Sequence, residues 1–61
     1  MRTVEVVSSH QWLNDIGRNA DIELIFIQDS VEKERRLYHS QQHAALITCR
    51  IAQWINNGLL T

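Results

Sequence analysis

The clearest hydrophobic pattern in the chain lies in Asp21–Gln28, where nearly every residue is apolar. In an extended chain, successive side chains point to opposite faces. One face would hold Ile22, Leu24 and Phe26, and the other Ile25 and Ile27. Because both faces are apolar, the pattern predicts a central strand that is covered on both sides.

The N-terminal third combines a strand pattern with a helix-start pattern. β-branched valines predict a strand over Arg2–Val7. Ser8 and Gln11 then have the spacing of a capping box, and Val7 and Trp12 that of a hydrophobic staple. The sequence therefore predicts a short helix from Ser9. The following residues give that helix one apolar face and a glycine stop: Trp12, Leu13, Ile16 and Gly17.

The C-terminal segment has the helical period. Ser40 is a candidate cap, Gln41–Asn57 the predicted helix, and Gly58 its stop. At 100° per residue, one wide apolar face results. The residues of that face are Ala44, Ala45, Ile47, Ile51, Ala52, Trp54 and Ile55. We expect this face, with Trp54 at its edge, to cover the sheet.

Two structures are open for residues 29–39. As a hairpin, Asp29–Glu34 is a turn and Arg35–His39 a third strand. In the other interpretation, residues 30–57 form one long helix. The high helix propensity of Glu, Lys, Arg and Gln favours this interpretation. A two-stranded sheet is marginal in water, which favours the hairpin. The predicted fold class is therefore α+β, a βαββα domain with a three-stranded sheet, and the alternative is βαβ with one long C-terminal helix.

Length and composition predict one small globular domain over residues 1–61. A chain of 61 residues buries only about 60% of its unfolded surface, so its core is thin. Apolar residues make up 44% and charged residues 21%, which is typical of folded proteins. No apolar run reaches the ~18 residues of a membrane span. Cys49 is the single cysteine, which suits a reducing compartment, so we expect a soluble cytoplasmic protein.

The candidate chemistry is sparse. His39 and His43 are four residues apart, the spacing of a metal pair on a helix, but no third ligand lies within a turn. Cys49 has no base at a recognisable spacing, and neither glycine belongs to a phosphate loop. We therefore expect no enzyme activity, no cofactor and no metal.

A basic segment suggests one possible function. Lys33, Arg35 and Arg36, extended by Arg50, could contact phosphates next to the aromatic ring of Tyr38. Glu32 and Glu34 interleave with these cations and cancel much of their field. A small nucleic-acid-binding regulator is therefore the alternative function.

The favoured function rests on the polar side of the C-terminal helix, where one leucine interrupts the pattern. Leu46 lies among Gln42, Arg50 and Gln53, a mixed surface of the kind that contacts proteins. We expect these four residues to bind a protein partner, with a homodimer as one possibility. The predicted function is a small non-enzymatic binding or regulatory protein. Its size alone suggests an accessory factor or inhibitor encoded by a mobile element.

Overall fold

The structure, a computed structural model, describes the backbone of residues 1–13 and 19–58 and the side chains of residues 1–8 and 20–58. Three strands and one helix follow in the order β1 (Arg2–Leu13), β2 (Asn19–Gln28), β3 (Val31–Tyr38) and α1 (Ala44–Asn57). The strands form an antiparallel sheet with the order β1-β2-β3, and α1 packs on one face of it. The fold is a small α+β domain.

The sheet has β2 at its centre, as its two apolar faces predicted. Across the sheet, Val4 of β1 pairs with Phe26 of β2, which pairs on its other side with Glu34 of β3. In the same way, Ser8 of β1 pairs with Ile22 of β2, which pairs with Tyr38 of β3. Leu24 and Phe26 are completely buried on the face that α1 covers, here called the helix-side face. Ile25 belongs to the opposite, outer face.

A two-residue turn joins β2 to β3. Asp29 and Ser30 have φ angles of 51° and 67°, and Gln28 pairs directly with Val31. Two consecutive positive φ angles match the type I′ turn, whose twist suits a hairpin. The hairpin prediction is confirmed, although the turn is shorter and β3 begins earlier than expected. The alternative of one helix over 30–57 is wrong, because β3 occupies its first quarter.

The predicted helix from Ser9 does not begin there. β1 continues to Leu13, and its last residues pair with β2 as Trp12–Ala20 and Leu13–Asn19 after an irregular register beyond Ser8. These pairings satisfy backbone groups through hydrogen bonds between strands, and such pairing in the sheet overrides the capping signal. The remainder of the predicted helix, residues 14–18, lies outside the described residues.

Helix α1 begins at Ala44, three residues later than predicted. Ser40 does not cap it, because the Ser40 hydroxyl and amide both donate to the Asp21 carboxylate on β2. The stop at Gly58 is confirmed. Gly58 has a φ of 70°, and its amide donates to the Trp54 carbonyl, as in a left-handed C-cap. Among the described residues, no helix is long and apolar enough to cross a membrane.

The core lies between α1 and the helix-side face. Its buried members are Leu24, Phe26, Tyr38 and Trp54, flanked by Val4, Ile22, Ile47 and Ile51. The Trp54 ring meets Phe26 edge-on with 5.8 Å between centroids, and its indole N–H donates to the Thr3 carbonyl at 2.9 Å. Trp54, predicted to lie in the core, therefore fixes α1 to both β2 and β1.

A second contact holds the end of α1 against β1. The Arg2 Nε donates to the Trp54 carbonyl at 2.7 Å, and its Nη2 lies 3.4 Å from the carbonyls of Ile55 and Asn56. The last carbonyls of a helix have few partners within it, and the C-terminal end of a helix attracts cations. Arg2 therefore satisfies the exposed end of α1 from the neighbouring strand.

Candidate interaction surface

The side of α1 that faces away from the sheet carries no charge. Leu46 is 37% exposed and Ile55 43% exposed. The other exposed residues of α1 are Ala44, Ala45, Thr48, Cys49, Ala52, Asn56 and Asn57. Helices on the surface of globular proteins normally place charged residues on the solvent side. We call this set of nine residues the uncharged surface of α1.

The uncharged surface is larger than the sequence indicated. Ala44, Ala45, Ala52 and Ile55 were predicted to be buried against the sheet, and all four are exposed. Only Ile47, Ile51 and Trp54 reach the core. The reason is geometric. A single helix on a three-stranded sheet presents a narrow strip to it. Ala44 and Ile55 lie about 80–100° from Trp54 around the helix, and Ala45 and Ala52 about 160–180°, so all four extend past the contact.

Three of the four residues predicted to bind a partner lie on one flank of α1, and Gln42 lies in the turn before it. Gln42 and Leu46 are exposed, whereas Arg50 and Gln53 are half-buried. The Arg50 Nη1 donates to Gln53 Oε1 at 3.0 Å. The Arg50 Nε is buried and has no hydrogen-bond partner among the described residues. Gln42 and Leu46 are therefore the accessible part of this set.

The basic residues proposed for nucleic acid do not form one patch. Arg35 lies opposite Ile25 on the outer face, whereas Arg36 lies opposite Leu24 on the helix-side face with α1 and Arg50. Lys33 is exposed at the register shift between Glu32 and Glu34. Arg36 pairs with Glu34. The geometry does not favour phosphate binding, and a gel shift at low salt is the test of this alternative.

Arg35 is held in an ion-pair network on the outer face. Its Nε lies 2.9 Å from Glu32 and its Nη1 3.6 Å from Glu23. The hydrogen bond from Arg35 holds the pKa of the Glu32 carboxyl below its usual value. Although no described element covers this face, Ile25 is only 6% exposed. The second covering layer predicted for β2 is not found in the described residues.

His39 and His43, whose spacing is that of a metal pair on a helix, lie in the turn between β3 and α1. The His39 amide donates to His43 Nδ1 at 3.0 Å, and the Gln42 amide donates to His39 Nδ1 at 3.3 Å. Each Nδ1 lone pair therefore accepts a backbone hydrogen bond, and the proton of each neutral ring lies on Nε2. No group of three or more metal-ligating side chains occurs in the described part of the chain.

The same turn is fixed to β2 by Asp21. Its carboxylate accepts the Ser40 hydroxyl at 2.6 Å and the Ser40 amide at 2.7 Å. These two hydrogen bonds, the hydroxyl first, lower the pKa of Asp21 below its ordinary 3.8. Asp21 gave no signal in the sequence, since an aspartate at the start of a strand has no local partner.

A shallow recess lies at the hairpin end of the sheet. It has a volume of about 570 Å³ and is lined by Met1, Thr3, Ile27, Asp29 and Ser30. The Asp29 carboxylate pairs with the N-terminal ammonium, whose hydrogen bond lowers the pKa of Asp29. The recess therefore holds a satisfied ion pair and no arrangement of nucleophile and base.

Comparison with known proteins finds no family model, no curated protein and no solved structure that matches this chain.

Proposed function

We propose that the chain is a non-enzymatic binding protein that contacts a protein partner through the uncharged surface of α1. The observation that carries this proposal is the absence of charge from every exposed residue of that helix. We further propose that it acts as a regulator or inhibitor in a reducing, cytoplasmic setting, which accords with the single thiol of Cys49.

Charge and shape both support this use of α1. Burying an unpaired charge is costly, and the centres of protein interfaces are depleted in charged residues. The nine exposed residues of α1 can be desolvated without that cost. Leu46 and Ile55 lie on opposite flanks of the helix, with alanines between them, so a partner would meet two larger apolar side chains on either side of a low ridge.

The first candidate partner for the uncharged surface of α1 is a second copy of the chain. Twofold dimers place the same patch against itself, which brings like charges together in most surfaces. An uncharged patch avoids that repulsion. A small domain with a thin core also gains apolar burial from a second subunit. Leu46 would lie in such a contact, with Gln42 beside it in the preceding turn.

Light scattering tests the self-association. The 7.1 kDa chain is expected to show about twice that mass at micromolar concentration. Leu46→Asp places a charge in the contact and is expected to return the protein to monomer. Val31→Asp is the matched control, because Val31 is 54% exposed but lies on β3, and it should leave the dimer intact. A monomeric mass for the unaltered chain at all concentrations would reject the homodimer.

A different protein can occupy the same surface, and the same variants identify it. Affinity capture from host lysate is performed with the unaltered chain, Leu46→Asp and Val31→Asp as baits. A partner of α1 should be captured by the first and third baits and lost with the second. Capture that is equal for all three baits would place the binding site elsewhere.

A further inference from the structure

The turn between β3 and α1 is closed by a reciprocal pair of hydrogen bonds. The His43 amide donates to the His39 carbonyl at 2.8 Å, and the His39 amide donates back to His43 Nδ1 at 3.0 Å. The His43 carbonyl then accepts the Ile47 amide at 2.8 Å, which starts the helix. His43 therefore connects the turn to the first turn of α1 through three hydrogen bonds.

We propose that His43 is a pH-dependent latch. Its neutral imidazole holds the turn closed, and protonation releases the N-terminal end of α1 from the sheet. This inference is independent of the proposed binding function, because it rests on the turn and not on the uncharged surface.

The chemistry of imidazole gives the latch its direction. A neutral ring that accepts at Nδ1 carries its proton on Nε2. Protonation adds a hydrogen to Nδ1, which then points at the amide hydrogen of His39 and can no longer accept. The half-buried His39 amide loses its partner, and an unsatisfied donor of this kind destabilises the closed form. The turn is therefore closed at neutral pH and weakens as the pH falls.

The surroundings of His43 do not compensate for a positive charge. His43 is the N-cap residue of α1, where the helix dipole is positive, and the first turn contains no acidic residue. From β3, the Tyr38 ring meets it edge-on with 6.0 Å between centroids, and Arg36 lies beside Tyr38. From β2, the Asp21 carboxylate faces His39 and is committed to Ser40.

Nuclear magnetic resonance of the unaltered chain tests the latch without any variant. At pH ~7.5, ¹⁵N shifts are expected to place the His43 proton on Nε2. The open form, and not the closed form, accepts the proton, so the protection factor of the His39 amide against hydrogen exchange should fall about tenfold between pH ~7.5 and pH ~5.5. A proton on Nδ1 at neutral pH, or a constant protection factor, would overturn the proposal.

Two matched variants assign the effect to His43. His43→Asn keeps an acceptor near the Nδ1 position but cannot be protonated, so His39 protection should become independent of pH in this range. His39→Asn removes a ring whose only described acceptor contact is longer and exposed, so the fall in protection should persist. A pH dependence that His39→Asn abolishes and His43→Asn leaves intact would contradict the proposal. Titration of Asp21 does not interfere, since its pKa lies below 3.8.

Discussion

Trp54 is the side chain that joins the two layers of the domain. It is 4% exposed, packs edge-on against Phe26 and donates its indole proton to the Thr3 carbonyl. One residue thus supplies both apolar burial and a polar contact with β1, an edge strand of the sheet. The sequence could indicate that Trp54 was apolar and helical, but the Thr3 carbonyl is 51 residues away along the chain and gave no signal.

Trp54→Phe separates these two contributions. Phenylalanine keeps an aromatic ring but loses the donor and part of the volume, so the free energy of unfolding should fall by about 1–3 kcal/mol. Urea unfolding followed by circular dichroism measures it. Val31→Ala, at an exposed site, is the control and should change the midpoint little. Equal midpoints for Trp54→Phe and the unaltered chain would show that the indole does not hold α1 in place.

Asp21 makes stability depend on acidic pH. Its folded-state pKa is lowered, chiefly by the Ser40 hydroxyl, so its contribution is present above the ordinary value of 3.8 and is lost as the pH falls through the lower folded value. Asp21→Asn should therefore be less stable than the unaltered chain at pH ~7, and the difference should shrink below pH ~3. Urea midpoints across this range provide the test. A difference that grew on acidification would have the wrong sign.

At the scale of elements, the hairpin turn departs from ideal turn chemistry. Type I′ turns favour Asn-Gly or Asp-Gly, and this chain has Asp29-Ser30. Aspartate tolerates a positive φ because its short polar side chain bonds locally, whereas serine at a φ of 67° is strained. The missing glycine is the reason that the sequence predicted a broad turn over Asp29–Glu34.

Ser30→Gly is expected to stabilise the domain by about 0.5–1 kcal/mol. Glycine removes the steric cost of the left-handed conformation, and the entropy of the unfolded chain offsets part of that gain. Thermal unfolding at neutral pH is the measurement. Asp29→Gly serves for comparison and should gain less, because it also removes the pairing with the N-terminal ammonium. A lower melting temperature for Ser30→Gly would argue against the type I′ assignment.

The apolar pattern of β2 and the glycine at Gly58 predicted their elements well, and the short capping signals predicted helix starts poorly. The two apolar faces of β2 identified the central strand, and Gly58 identified the end of α1. By contrast, the capping signals at Ser8 and Ser40 were both overridden by partners distant in sequence. Ser8 lies opposite Ile22 in the sheet, and Ser40 donates to Asp21. A polar side chain near a helix start can serve either use, and only the three-dimensional neighbours decide between them.

At the scale of the whole molecule, the single helix determines which apolar residues remain exposed to solvent. One helix covers one face of a three-stranded sheet and buries only a narrow strip of itself. The sequence could predict an amphipathic helix, but the width of its buried face depends on the number of elements that surround it. Ala45, Ala52 and Ile55 are exposed for that reason, and four of the nine residues of the uncharged surface are ones that periodicity assigned to the core.

The reactivity of Cys49 tests most directly that the uncharged surface of α1 lies outside the core and is covered on assembly. The thiol is exposed on that surface. At high dilution it should react with an aromatic disulfide reagent as fast as in the unfolded chain, and the reaction should slow as protein concentration rises. Leu46→Asp should react fast throughout. Slow reaction at every dilution would mean that the surface is already buried, and fast reaction at every concentration would mean that no second copy covers it.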